Sequence, residues 1–193
     1  MSLSALPSAA AWRHRDARMG FEVVYFQTLD EGYRIDGYTT AIEDGEIWMV
    51  NYTIRIDTTW TTRRAQITGR STCGLRQTVL EADGAGQWLV DGEVAPHLDG
   101  CLDVDLESSA MTNALPVRRM GLQVGDQAAA PAAYVGALDL AVERLEQDYV
   151  RAADESSHQR YDYTAPAFDV ACLLLYDECG LLLDYPGIAV RAG

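Results

Sequence analysis

The chain has no lysine: all fifteen of its basic residues are arginines. That removes Schiff-base chemistry, the phosphate-binding lysine of P-loop enzymes and the strand lysine of kinases. Histidine is scarce, at three residues, and none is paired at metal-ligand spacing. Four cysteines, Cys73, Cys101, Cys172 and Cys179, form no C-x-x-C, which argues against a Cys/His zinc site. No stretch approaches the roughly 18–20 apolar residues of a membrane-spanning helix, and the opening "MSLSALPSAAAW" lacks the basic start of a signal peptide. These absences point to a soluble, cytoplasmic protein with reduced thiols and no stable membrane insertion. Positive charge is also in short supply. The formal net charge of −14 disfavours phosphate backbones and anionic surfaces, so no nucleic-acid partner is expected.

What is present is a strand pattern. At 193 residues with 48% hydrophobic content, the chain suits one domain with a sizeable core. "FEVVYFQT" (21–28) is β-branched and aromatic. "IWMVNYTIRID" (47–57) alternates, with Trp48, Val50, Tyr52, Ile54 and Ile56 on one face, and Asp44-Gly45 before it signals a hairpin. "TTRRAQITG" and "LRQTVLEA" continue the meander, and a short hairpin follows between Asp83-Gly84 and Asp91-Gly92. "FDVACLLLY" (168–176) is apolar on both faces. Residues 138–155 are ambiguous. Their spacing leans towards a helix, whereas a weak internal repeat that aligns Tyr52 with Tyr149 and Asp83 with Asp177 makes 145–152 a strand. The repeat divides the chain into similar halves, about 20–95 and 101–190. The expected fold is therefore mainly β: a large antiparallel barrel of ten or more strands, closed or partly open, with few or short helices. It spans 12–191 as a single domain, with 1–11 as a flexible lead-in.

The most unusual stretch is "CLDVDLESSAMTNALPVRRMGL" (101–122). Leu102, Val104 and Leu106 alternate with Asp103, Asp105 and Glu107, then a polar turn and Pro116 lead to Arg118 and Arg119. The carboxylates stand about 7 Å apart along a strand, which does not converge on one metal ion, and no metal ligands or catalytic residues are assigned. No Gly-x-Ser-x-Gly elbow is present. If 101–107 pairs antiparallel with 117–123, one of the two arginines reaches Asp103 or Asp105, because adjacent strand residues face opposite ways. The carboxylates and arginines then form a mutually paired rim.

This stretch resembles the signature of the putative glycolipid-binding family, through Gly100, Cys101, Asp103, Val104, Asp105, Leu106, Thr112, Asn113, Leu115, Pro116, Arg118 and Arg119. Further matching residues include Trp12, Gly20-Phe21-Glu22, Tyr52, Asp57, Trp60-Thr61-Thr62-Arg63, Gln147-Asp148-Tyr149 and Asp184-Tyr185-Pro186, so the resemblance covers about 12–191. Ser109-Ala110-Met111 and Ala114 depart from the family pattern. The resemblance implies a β-barrel similar to lipoprotein carriers, with a cavity suited to a lipid chain. Trp48, Tyr52, Ile54, Trp60, Leu106, Tyr149, Leu173 and Leu175 would line the lumen. The candidate ligand-binding residues are Tyr52, Trp60, Arg63, Asp103, Asp105, Asn113, Arg118, Arg119, Tyr149 and Tyr163. The expected partner is a small amphipathic ligand, lipid-like or glycolipid-like, with no cofactor. The alternatives are a hydrolase using Asp103 and Asp105 with an arginine anion clamp, and a purely structural or interaction protein.

Overall fold

A computed structural model describes residues 3–192. The chain enters β1 (Ala9–His14) and then runs through a long meander: β2 (Met19–Leu29), β3 (Gly32–Glu43), β4 (Glu46–Ile56), β5 (Thr62–Ser71) and β6 (Gly74–Ala82), ending in the short β7 (Trp88–Val90) and β8 (Glu93–Val94). A second meander comprises β13 (Asp148–Glu155), β14 (His158–Ala165), β15 (Val170–Tyr176), β16 (Leu182–Tyr185) and β17 (Ala189–Arg191). β1 joins the two by pairing antiparallel with both β2 and β17, and β10 (Gln127–Ala129) extends the far side against β13. The result is one 14-stranded sheet running from β10 to β8. Its two end strands do not pair, so the barrel is open.

Local sequence accounts for the register of the first meander. Trp48, Val50, Tyr52, Ile54 and Ile56 are all buried, as the alternation predicts. Asp44 and Gly45 both take positive φ (49° and 84°) between the paired Glu43 and Glu46, the geometry of a two-residue hairpin. On β3, Gly37 lies opposite Tyr52, and a Cβ placed there would stand 2.0 Å from Tyr52 Cζ. Gly37→Ala therefore has to displace a fully buried ring. We expect it to cost about 1–3 kcal/mol, read as a lowered urea midpoint with unchanged slope.

The lumen of this open barrel is filled by the chain itself. β9 (Asp103–Leu106), a 3-10 turn (Met111–Asn113) and α1 (Ala114–Met120) carry the signature stretch through the middle. Of residues 101–117, all but Leu102 and Glu107 are buried. Strands on opposite sides hold the stretch. Thr62 on β5 bonds Leu102 and Val104, Trp88 Nε1 on β7 donates to the Cys101 carbonyl, and Tyr176 on β15 donates to the Asn113 carbonyl. β9 pairs parallel with β11 (Ala132–Val135), which pairs antiparallel with β12 (Val142–Leu145) to complete a small second sheet.

Four expectations change here. The 1–11 lead-in is structured from Ala9, where β1 begins, and before that Ser4 N donates to Glu178 O; Met1 and Ser2 lie outside the described residues. Residues 142–145 and 148–155 are strands, not a helix, because β13 is captured between β10 and β14. Leu173 and Leu175 lie on the partly exposed face of β15, while Leu174 and Tyr176 are buried. A strand that is apolar on both faces gives no parity of its own, and the inward parity follows from the pairing of Tyr161 with Leu174. Finally, 117–123 is no strand. Pro116 sits in the first turn of α1, where its missing N–H is not needed, and Gly121 closes the helix in the left-handed region at φ 56°.

Candidate functional site

The carboxylates of the signature stretch meet three different fates. Asp103 is 1% exposed, and both of its oxygens are taken by Arg119. Nε of Arg119 donates to Oδ1 at 3.1 Å and Oδ2 at 3.2 Å, and Nη2 to Oδ2 at 2.6 Å. Burial still pushes its pKa upward against the pull of the guanidinium. In the helix, Arg118 points elsewhere: its guanidinium lies 4.0 Å from the Trp60 ring centre and donates to the Cys179 carbonyl. The pairing of one arginine with Asp103 therefore occurs, but helix geometry rather than strand parity selects which one. Glu107, just past the end of β9, accepts from the Ala137 N–H at 2.7 Å.

Asp105 is different. It is 8% exposed, and the Thr112 hydroxyl, 2.8 Å from Oδ1, is the one side chain that donates to it. Among the described residues, no cation stands within ion-pair distance of it. Burial, reinforced by the negative charge of Asp103, pushes its pKa up to about 6. Asp105 opens into a cleft of about 210 Å³. Asn113 and Tyr163 share the wall, with Tyr134, Phe168 and Tyr185 as further aromatic surface, Leu145, Val170 and Ile188 as apolar surface, and Arg18, Glu43 and Glu107 at the side. Tyr163 and Tyr185 meet edge to face at 5.9 Å, and Tyr134 and Phe168 lie 5.1 Å apart. Tyr163 is fixed by donating to Gln147 Oε1 at 2.9 Å.

Behind the cleft sits a third buried carboxylate, Glu22. It accepts from the Tyr52 hydroxyl at 2.7 Å, from Ser109 Oγ, and from the backbone N–H of Ala110 at 2.8 Å and Met111 at 3.4 Å. Its pKa is raised, chiefly by burial, although these donors oppose the shift. The network ties the loop after β9 to β2 and β4; its members Ser109 and Ala110 line the cleft, whereas Glu22 and Tyr52 stand behind it.

Of the ten expected ligand-binding residues, Asp105, Asn113 and Tyr163 line this cleft. The others are placed elsewhere. Tyr52 serves Glu22; Asp103 and Arg119 pair with each other; Arg118 and Trp60 stack together, with Tyr33 4.9 Å from Trp60. Tyr149 is fully buried in a tyrosine cluster with Tyr161 and Tyr163, its hydroxyl 3.5 Å from Asn113 Oδ1. Arg63 is half-exposed, 3.9 Å from Asp57. Glu22 was missed, although an acidic residue on the Glu22–Val24 face of an otherwise apolar strand was a readable signal. Nothing local marked Tyr134, Phe168 or Tyr185, which reach the cleft only through strand pairing.

Fold and site together define a β-barrel-like protein whose interior is plugged by its own chain and whose acidic, aromatic cleft opens beside that plug. The pattern of the putative glycolipid-binding family matches residues 9–191, and the chain belongs to that family. A crystal structure of a DUF1089 family protein from Pseudomonas aeruginosa is similar at 34% identity with a TM-score of 0.74, covering 89% of this chain and 92% of that one. A β-barrel-like protein of the domain of unknown function DUF1849 from Brucella abortus shares the fold at 13% identity and a TM-score of 0.53, covering 98% of this chain and 96% of that one. No curated protein matches. No helix among the described residues is long and apolar enough to cross a membrane.

Proposed function

We propose that this protein binds the sugar-like polar group of a glycosylated amphiphile in the Asp105 cleft. One observation carries the reading: a buried carboxylate without a cation, beside an amide, in an open cleft walled by aromatic rings. Sugar hydroxyls are donors that suit Asp105 and Asn113, and the C–H faces of a pyranose pack on rings such as Tyr163, Tyr185 and Phe168. Size agrees. The cleft's volume of about 210 Å³ has room for a compact polar group such as one sugar ring. The expected acyl-filled lumen is replaced by one in which the chain's own residues 101–117 occupy the barrel. The lipid part of a ligand then rests on the partly exposed Val170 and Ile188 beside the cleft. The family's description supports the glycolipid class. Four free thiols, Cys73 among them exposed, suit the reducing cytoplasmic setting expected from composition. The hydrolase alternative is less well served, since Arg119 already occupies both oxygens of Asp103.

Calorimetric titration with n-octyl glucoside, below micelle-forming concentration, tests this. We expect saturable one-site binding that Tyr185→Ala weakens about tenfold, the scale of a lost aromatic contact. Octanoate binding as well as octyl glucoside, or the absence of any saturable heat, would sink the reading.

A further inference from the structure

The charges around the cleft do not balance. Asp105, Glu43 and Glu107 contribute three carboxylates and Arg18 the one cation. Arg18 is committed to its own neighbours: Nη1 lies 3.5 Å from Glu43 Oε2 and Nη2 donates to the Glu107 carbonyl at 2.8 Å, while its buried Nε and Nη1 make no hydrogen bond. Among the described residues no cation answers Asp105, whose one side-chain donor is the Thr112 hydroxyl. The same surface presents two aromatic pairs, Tyr134 with Phe168 and Tyr163 with Tyr185, and ring faces attract cations that come within about 6 Å. A neutral sugar hydroxyl would satisfy the hydrogen bonding of Asp105 but leave its charge buried and unpaired. A group carrying both charge and donors resolves both. The protein's net charge of −14 also draws cations towards the cleft rather than anions.

We infer that the group held in the cleft is a protonated primary amine, carried by an amino sugar, with Asp105 as its ion-pair partner and the flanking aromatic rings as its cage. This rests on the sugar-binding reading above and narrows it to a ligand class. N-acetylation would remove the positive charge while keeping the ring, so the free amine is the recognised feature rather than an incidental one.

The test compares four probes by calorimetry at pH 7.5: glucosamine, N-acetylglucosamine, glucose and ethanolamine. Glucosamine is expected to bind about tenfold or more tighter than either neutral sugar, the scale of a charge-assisted hydrogen bond, and tighter than ethanolamine. Asp105→Asn should erase the preference of glucosamine over glucose. Glu107→Gln, which lines the cleft with a carboxylate already held by the Ala137 N–H, should reduce that preference only in part, and serves as the second reading should the Asn variant fold poorly. Equal binding of the three sugars overturns the amine inference while leaving the sugar reading in place. Ethanolamine matching glucosamine, with no binding of glucose, upholds the amine and overturns the sugar. Binding of none of the four overturns both.

Discussion

Asp105→Asn is expected to make the protein more stable, by up to about 3 kcal/mol at pH 7.5. The carboxyl is pushed from its ordinary 3.8 to about 6, and each unit is worth about 1.4 kcal/mol. The sign is opposite to that of a salt-bridged carboxylate. A raised folded-state pKa means that the native protein binds its proton more tightly than the unfolded chain does. Ionising Asp105 therefore costs stability fully above about pH 6, and the cost fades as pH falls towards 4. Asparagine keeps the oxygen that accepts from Thr112 and removes the charge. The gap between wild type and variant should be widest at pH 7.5 and close by pH 4, read from urea unfolding at both values. His14, buried and without a ring partner among the described residues, is pushed down to about 4, so both proteins lose stability as pH falls from 6.5. That loss is common to the pair and cancels in the difference. A variant less stable than wild type at pH 7.5 would mean that Asp105 is paired after all. A residue that weakens the fold but stays charged in a cleft is the pattern of a binding group rather than a packing one.

The sequence carried the parts of this architecture that depend on near neighbours. Alternation from Trp48 to Ile56 specified which face of β4 is buried, and Asp44-Gly45 specified the turn before it. The helix at 114–120 was also written locally, with Pro116 in its first turn and Gly121 at its end, but the acidic alternation of 103–107 invited a strand partner instead. The missing information is non-local. β9 pairs in parallel with β11 nearly thirty residues on, and the cleft assembles from the β1–β2 loop, the end of β3, β9 with the turn after it, β11, β12, β14, the start of β15 and β16. Asp105 and Asn113 were readable because they sit in the signature stretch, whereas Tyr163, on β14, joins them through the pairing of β14 with β13 and β15. Tyr134 and Phe168 lie in segments whose side chains gain meaning only once β9 has entered the barrel. The same non-locality explains why a hollow lumen was expected: no local pattern states that a chain will thread an acidic strand through its own core.

Arg119→Met should be among the most damaging single changes in the molecule, at about 3–5 kcal/mol, because it leaves the Asp103 charge buried with no partner. An exposed ion pair would cost no more than about 1 kcal/mol on the same change. Asp103 is 1% exposed and receives all its side-chain hydrogen bonds from Arg119, which places it in the first class. Losing the guanidinium raises the Asp103 pKa further, so the damage should be greatest at pH 8 and smaller at pH 4.5, where the carboxyl accepts a proton in place of its partner. Adding Asp103→Asn to Arg119→Met removes the stranded charge and should restore more than half of the loss. A cycle of the two single variants and the double variant, measured by urea unfolding, isolates that coupling. If the double variant is no more stable than Arg119→Met alone, the arginine acts through packing of its stem on the helix rather than through the pair. The cycle also bears on the cleft. The Asp103 charge is one of the causes that hold the Asp105 pKa high, so an Asp103→Asn background should lower the pH at which Asp105 ionises. A carboxylate pair two residues apart on one strand, one answered by an arginine and one left open, is thus a coupled unit in which the Asp103 charge adds to burial in raising the Asp105 pKa.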